Sequence, residues 1–537
     1  MHEGTKDRRP EVFSEDEREV LGHYFTSVDG PVFCLRNLNE TVKAALFSRY
    51  SRSKSSMRRV FLDEFYQQID HFDNQGESEV GGERADKLFR RVIAEYGDDS
   101  VAQLAGVHVA FEGVSNVLTK LIERPRLMSY LEQSTRYLSF GMRPDGTYPF
   151  TVPTELSAKD SASYTQSVNE IFALYENIVT KVRKYLDTAL PDKNDRDMQR
   201  AAQAASYDAA RGVLPASVVS NVGVFGSPQS LEGLLMHLRA SELEEAKIYA
   251  ELAKEELVKV VPAFLSRLDQ PDRGLRWVEY LSTTKSATSE FVDKLVKQKE
   301  LSAGAADVRL YSFDADGEDR IARDIICAAS NLSKEQGRLV VSQLTEEQID
   351  QLFSVYVGDR ANRRHKPGRA FEATQYGFEI VSDYGSFRDL QRHRLLSIEW
   401  QTLDTSLGFS IPSLVSEADA QGDFCSAMDI SQDINRDLAL RYPKAVASYA
   451  VCMAFRIRYQ MLMSAREAVH VCELRSQPSG HPTYRKVAQA MHRLIAEEAK
   501  HSRVAMSMTF VDHKEEKLGR LEQERRISEK KLLFESE

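Results

Sequence analysis

Residues 391–397 read QRHRLLS, and residues 123–129 read ERPRLMS. The two heptapeptides stand 268 positions apart, about half of the 537-residue chain. Each follows a strand-like run and then a helix-like one. A second echo, LFSRY at 46–50 and LFSVY at 352–356, lies in the same order. Such ordered recurrence implies a duplicated domain. The unequal offsets place an insertion in the first copy, within 60–98, and the join within 270–305. We therefore expect a first copy over 1–275, a linker over 276–304, a second copy over 305–512 and a charged tail over 513–537. Within DLQRHRLLSIEW (389–400), Arg392, His393 and Arg394 crowd between Leu390 and the pair Leu395–Leu396. Three basic groups at a half-apolar spot repel one another unless an anion is close, either a neighbouring carboxylate or a ligand.

Apolar residues at helical spacing mark helices over 160–188, 230–252, 285–300 and 484–500. In 230–252 the stripe is Leu231, Leu234, Leu235, Leu238 and Ile248. Strand-like alternation is weaker but present at 104–111 (LAGVHVAF) and 376–381 (YGFEIV). The fold class is α+β, with helices packed around small sheets. Breaks fall at 189–196, 269–274, 302–318 and 476–482. The tail is charged on nearly every face and reads as a solvated or partner-borne helix, or as disorder.

A formal net charge of -10 argues against a general nucleic-acid or anionic-membrane binder, which needs a basic face. No run approaches the roughly 18 apolar residues of a membrane span. Five cysteines (Cys34, Cys327, Cys425, Cys452 and Cys472) without a CxxC support neither a disulfide framework nor a zinc cluster, and no metal site is expected. The first twenty residues lack the apolar core of a secretion signal, so the expectation is a reducing, cytoplasmic setting.

In the first copy the arginine pair opens a longer pattern, RPRLMSYLEQSTRY, Arg124 to Tyr137. This stretch resembles the signature of flavin-dependent thymidylate synthases, RHRxxSxNxxSxRY. Arg124, Arg126, Ser129, Ser134, Arg136 and Tyr137 fall on its positions, while Pro125 stands for His and Leu131 for Asn. The second copy is complementary. Arg392, His393, Arg394 and Ser397 match the opening, and Thr402, Asp404 and Thr405 replace the closing Ser, Arg and Tyr. Downstream, ARGVLP (210–215) and SLEGLLMHLR (230–239) align Arg211 and Arg239 with later family arginines. Lys247 and Tyr249 replace the Glu and Arg of a terminal EIR. SAREAVHVCELR (464–475) aligns Arg466, His470 and Arg475, with Ser464 for Asn, and Arg485 falls at the EIR arginine. Leu104 stands at the place of the family's upstream His. The resemblance covers roughly 45–255 and 350–510 in order.

The resemblance implies two tandem copies, each a small antiparallel sheet wrapped by long helices. It implies reductive methylation of dUMP to dTMP, with methylenetetrahydrofolate as carbon donor and FAD recharged by NADPH. It also implies a homodimer that forms a pseudo-tetramer. Arg124, Arg126, Arg392, His393, Arg394, Ser397 and Arg466 would hold the flavin. Glu132, Ser134, Arg136, Arg211, Arg239 and Arg485 would hold a pyrimidine nucleotide, and Arg239 and Arg475 would stabilise negative charge developing on the base. Guanidinium forks with a hydroxyl donor suit a phosphate dianion. No GxGxxG or GxxxxGKS occurs, so no Rossmann or P-loop frame is expected. The first copy keeps the nucleotide edge and the second the flavin edge, so the two should combine into one composite site. Arg136→Ala should then spare FAD, and Arg392→Ala should spare the nucleotide.

Plainer readings stand beside these. Arg124 and Arg126 can pair with Glu123 and Glu132, His393, His470 and His237 can be core histidines, and Arg475 and Arg485 can decorate helix ends. The basic stretch RYSRSKSSMRR (49–59) can be a phosphate-reaching or a plain surface loop. A flavin- or nucleotide-binding scaffold without turnover is the second functional reading. The colour of the purified protein and rescue of a thymidine-requiring strain separate the two.

Overall fold

A computed structural model describes residues 11–30, 33–50, 55–66, 103–136, 138–189, 194–296 and 307–514, together with Arg525 and Glu529. Most of the stretch 60–98 expected to hold the insertion, and nearly all of the tail, lie outside these residues, as does Tyr137.

The duplication is written in the sheets. β1 (Val107–Ser115), β2 (Met128–Glu132) and β3 (Val219–Gly226) form a sheet of order β1-β3-β2. β4 (Val308–Phe313), β5 (Gln375–Asp383), β6 (Leu396–Trp400) and β7 (Arg456–Ser464) form a second of order β4-β5-β7-β6. Removing the extra edge strand β4 leaves the same order in both. β1 and β5, and likewise β2 and β6, start 268 positions apart, whereas β3 and β7 start 237 apart. The second sheet is antiparallel throughout, with Tyr376, Phe378 and Ile380 opposite Met463, Met461 and Tyr459. Alternation places these six on the buried face.

Four strands, β1, β3, β5 and β7, lead into a side chain that starts the following helix. Ser115 accepts from Leu118 N and Asp383 from Ser386 N, opening helices Asn116–Ile122 and Tyr384–Gln391. Ser227 accepts from Ser230 N and Ser464 from Glu467 N, opening Pro228–Arg239 and Ala465–Arg475. Such caps satisfy orphan N–H groups and set helix register, each stabilising by about 1 kcal/mol.

The long helix Ala158–Ala189 buries Tyr164, Val168, Ile171, Tyr175, Ile178 and Val182, spaced alternately four and three apart. It packs along Gln421–Ala439 of the second copy and Arg196–Ala210 of the first. The compact units therefore do not follow the copies. One comprises 1–112, 127–131 and 221–299, and the other 113–126, 132–220 and 300–537. Inside the second unit, equivalent helices of the two copies meet. Tyr384 OH donates to Asn116 O at 2.9 Å, although Asn116 and Tyr384 hold the same place in their copies.

Two sequence expectations change. The helix expected over 230–252 is two, Pro228–Arg239 and Glu244–Val260. Ser241 Oγ accepts from Leu243 N at 3.2 Å, and Glu244 and Glu245 favour a new N-terminus. Ile248 consequently lies exposed rather than in the stripe. The stretch 49–59 ends one helix at Tyr50 and begins another at Met57, and Arg58 is buried with its donors on Ser27 O and Gly30 O. Among the described residues no helix is long and apolar enough to cross a membrane.

Candidate active site

Asp389, in the last turn of helix Tyr384–Gln391, gathers arginines from both copies. Arg392 Nη2 donates to its Oδ1 at 2.5 Å, and Arg211 Nη1 stands 3.7 Å from its Oδ2. Arg475, the last residue of its helix, donates from Nη2 to the Asp389 carbonyl at 2.5 Å and has Nη1 3.8 Å from Oδ1. Burial pushes the Asp389 carboxyl up, but Arg392, Arg475, Arg211 and Arg136 together hold it well below the usual carboxylate range.

Arg136 grips Asp208 through Nε at 2.7 Å and Nη2 at 2.8 Å, and reaches Tyr484 OH at 3.0 Å and Ser479 O at 3.1 Å. The Tyr484 ring lies under Arg136 at 5.7 Å and under Arg475 at 5.5 Å, a cation–π bridge between the two guanidiniums. Ser134 Oγ accepts from Arg136 N at 3.2 Å, fixing the turn that delivers the arginine.

Glu132 is fully enclosed. Arg388 Nη2 donates to it at 2.6 Å, Lys120 Nζ stands at 3.3 Å and Arg392 Nη1 at 3.5 Å. Burial raises its carboxyl and these three cations pull it back below the ordinary range. Lys120 Nζ donates to Glu123 at 2.5 Å, whose own carboxyl burial pushes up. Six cationic side chains (Arg136, Arg211, Arg388, Arg392, Arg475 and Lys120) thus face four carboxyls (Asp208, Asp389, Glu123 and Glu132). Even with Asp383 beside Arg211 counted as a fifth carboxyl, at least one positive charge stays uncompensated. Burial raises the Asp383 carboxyl against the pull of nearby Arg211, and burial holds His481 well below its ordinary value. Arg211 is 3% exposed, yet its Nη2 has no hydrogen-bond partner among the described residues. The Arg392 side chain is 28% exposed, so the cluster opens to solvent on that side.

The flavin-edge candidates lie around His393. Its Nε2 accepts from Arg475 Nε at 2.8 Å, and its Nδ1 lies 3.4 Å from Glu467 Oε1. His470 packs edge-on to the ring at 5.4 Å. Burial, then Arg475, hold His393 well below its ordinary value. Burial pushes the Glu467 carboxyl up to about 7 and His470 down to about 4. His393, Glu467 and His470 bring ligand-type atoms within 4.8 Å of one another. They do not fit a metal as they stand, because the Arg475 N–H fills Nε2 and leaves the proton on the Nδ1 that faces the group. Arg466 donates to Pro367 O at 2.8 Å and to Glu372 at 3.2 Å. Arg394 and Ser397 are exposed, Ser397 on β6.

Other candidates go elsewhere. Arg124 pairs with Glu399 at 3.0 Å and lies over Trp400 at 5.0 Å, an exposed contact, rather than with Glu123 or Glu132. Arg126 is exposed. Arg485 spends its donors on Ser476 O and Lys514 O, joining a helix start to the C-terminal segment. Arg239 belongs to the other compact unit, paired with Glu251 at 2.6 Å and Asp269 at 3.0 Å. Counted from the caps Ser227 and Ser464, the residue equivalent to Arg475 is Leu238, one position before Arg239.

Sequence reasoning missed Asp389, Asp208, Arg388, Glu467 and Tyr484. Asp389 carried a signal, since it precedes Arg392 by three on a helical run. Arg388 carried another, as the second-copy counterpart of Lys120.

A family model described as thymidylate synthase complementing protein matches residues 40–263 and 318–499. A UPF0159 protein of Chlamydia muridarum is 33% identical over 531 residues, covering 96% of this chain and 98% of the relative. A UPF0159 protein of Thermoplasma acidophilum is 32% identical over 522 residues, covering 90% and 97%. Both relatives span both copies.

Proposed function

This chain belongs to the thymidylate synthase complementing protein family, and from that premise we propose that it is an FAD-dependent thymidylate synthase with one composite site per chain. The substrate is dUMP, with methylenetetrahydrofolate and NADPH as co-substrates. The observation that carries the reading is the charge excess around Asp389, with the unpartnered Arg211 Nη2 inside it. An excess of guanidinium groups over carboxyls suits a nucleoside monophosphate dianion. Arg136 and Arg211 of the first copy and Arg392 and Arg475 of the second would share that phosphate and the base.

The donor set beyond the cluster fits a flavin. Arg394, Ser397 and Arg466 offer guanidinium and hydroxyl donors to its pyrophosphate, and Lys366 and Arg363 lie near His470 on the same side. Bound FAD would supply hydride to the nucleotide. Arg475, held at the cluster edge, would stabilise negative charge on the pyrimidine, an interaction made stronger by partial exclusion of water. Arg392 touches both Asp389 and Glu132, so we expect its loss to weaken nucleotide and flavin together rather than flavin alone.

The mirror site lacks the same equipment. Leu121 stands at the place of Asp389, Pro125 at that of His393, Asp404 at that of Arg136 and Leu238 at that of Arg475. A homodimer would then form a pseudo-tetramer with two working sites. Calorimetry with dUMP should return one site per chain. Rescue of a thymidine-requiring strain by the wild type but not by Arg136→Ala or Arg211→Ala tests turnover. The grip of Asp208 on Arg136 favours the second reading, a binding paralogue without turnover, and that reading predicts dUMP and FAD binding without rescue.

A further inference from the structure

We propose that Glu467, acting through His393, is a positioning residue that aims the Arg475 guanidinium into the nucleotide site. The inference rests on the reading of Arg475 given above. It uses a residue outside the matched motif positions, since Glu467 lies between Arg466 and His470.

The helix Ala465–Arg475 carries both ends of the arrangement. Glu467 sits in its first turn, where the helix dipole favours an anion, and Arg475 closes its last turn, where the dipole favours a cation. His393, arriving from the turn after helix Tyr384–Gln391, bridges them. Arg475 has no lone pair to offer, so its Nε–H must be the donor to His393 Nε2. That contact requires a neutral imidazole with its proton on Nδ1, and Nδ1 faces Glu467 Oε1 at 3.4 Å. A carboxylate there favours that tautomer and makes Nε2 the better acceptor. The Asp389 carbonyl takes a second Arg475 N–H at 2.5 Å, so the guanidinium is pinned from two directions. A protonated imidazole would present N–H to N–H and release it.

The charged surroundings of His393 are cations apart from Glu467, and the His470 ring beside it is neutral. His393 faces Arg475, His470, Arg392 and Lys366, while Glu467 faces Lys366 and Arg466. Glu467 is therefore the anion that the Arg392–His393 turn has on this flank, as Asp389 is on the other.

Two measurements on the full chain test the proposal. The first is dUMP affinity by calorimetry in a double-mutant cycle. Glu467→Gln keeps the shape and removes the charge, and it should weaken dUMP about tenfold when Arg475 is present and have no effect in the Arg475→Ala background. In the wild type, affinity should also fall between pH 8 and pH 6 as Glu467 takes up its proton, and Glu467→Gln should flatten that slope. Equal loss in both backgrounds, or an unchanged slope, overturns the proposal. The second measurement needs no nucleotide. Selective histidine labelling, with His393→Gln to assign the resonance, reads the tautomer of His393 by its ring nitrogen shifts. The Nδ1–H form at neutral pH is expected, and an Nε2–H or doubly protonated ring overturns the proposal. If dUMP fails to bind the wild type while the tautomer is as expected, the nucleotide reading fails and the positioning geometry stands.

Discussion

The segments 107–132 and 375–400 are the same strand, helix and strand, yet they do opposite things with the same positions. At one shared position the first has Leu121 and the second Asp389, the carboxylate on which three arginines converge. At another the first has Pro125, whose side chain offers no hydrogen-bond donor or acceptor, and the second has His393. Conversely, the first keeps Glu132, buried among Arg388, Lys120 and Arg392, where the second has Trp400, which lies over an exposed arginine. The caps and buried faces that make the fold are retained in both halves. The site groups diverge where each needs supplying only once, because the equivalent helices meet within one compact unit.

The largest effect that would break this comparison is on stability. Arg388→Ala leaves Glu132 without its closest partner in an enclosed site, and it should cost about 3–5 kcal/mol in urea unfolding. A loss under 1 kcal/mol would mean the halves do not depend on each other there.

Next is binding. Arg211→Ala should weaken dUMP roughly 10- to 100-fold, the worth of a lost charge-assisted hydrogen bond, whereas Arg239→Ala should leave it unchanged. Equal losses would restore Arg239 to the site.

The acid limb of stability comes third. The Asp389 carboxyl is depressed in the folded protein, so its contribution is present above an ordinary aspartate value of about 4 and is lost as pH falls below it. Urea midpoints between pH 5 and pH 3 should therefore fall less steeply in Asp389→Asn. The smallest effect belongs to the mirror pair, where Arg124→Ala should cost under about 1 kcal/mol and leave dUMP and FAD binding intact.

Much of this was legible in the chain. Two ordered echoes predicted the duplicated sheets, and the arginines that gather around Asp389 all came from motif positions. Register was harder. Arg239 looked like the partner of Arg475 because both follow a leucine in similar helices, but counting from Ser227 and Ser464 separates them by one residue, which is about 100° of helix. The partners of the arginines were illegible for another reason. Asp208 lies 72 residues from Arg136, and Glu132 lies 256 from Arg388, so only folding brings them together. The break at 240–243 was hidden because the leucine stripe runs up to it and Ser241, which accepts from Leu243 N, looks like any surface serine.

Because the hydrogen bond from Tyr384 to Asn116 joins like positions carrying unlike side chains, the two halves behave as a fused heterodimer. Translation as one polypeptide fixes their ratio at one to one and holds each near its complement at millimolar effective concentration. Each half can then lose what the other keeps without the gene ever producing a surplus of either. The same linkage makes the arrangement hard to reverse, since a half released by cleavage or gene fission would find its own like surface, with Asn116 facing Asn116 or Tyr384 facing Tyr384.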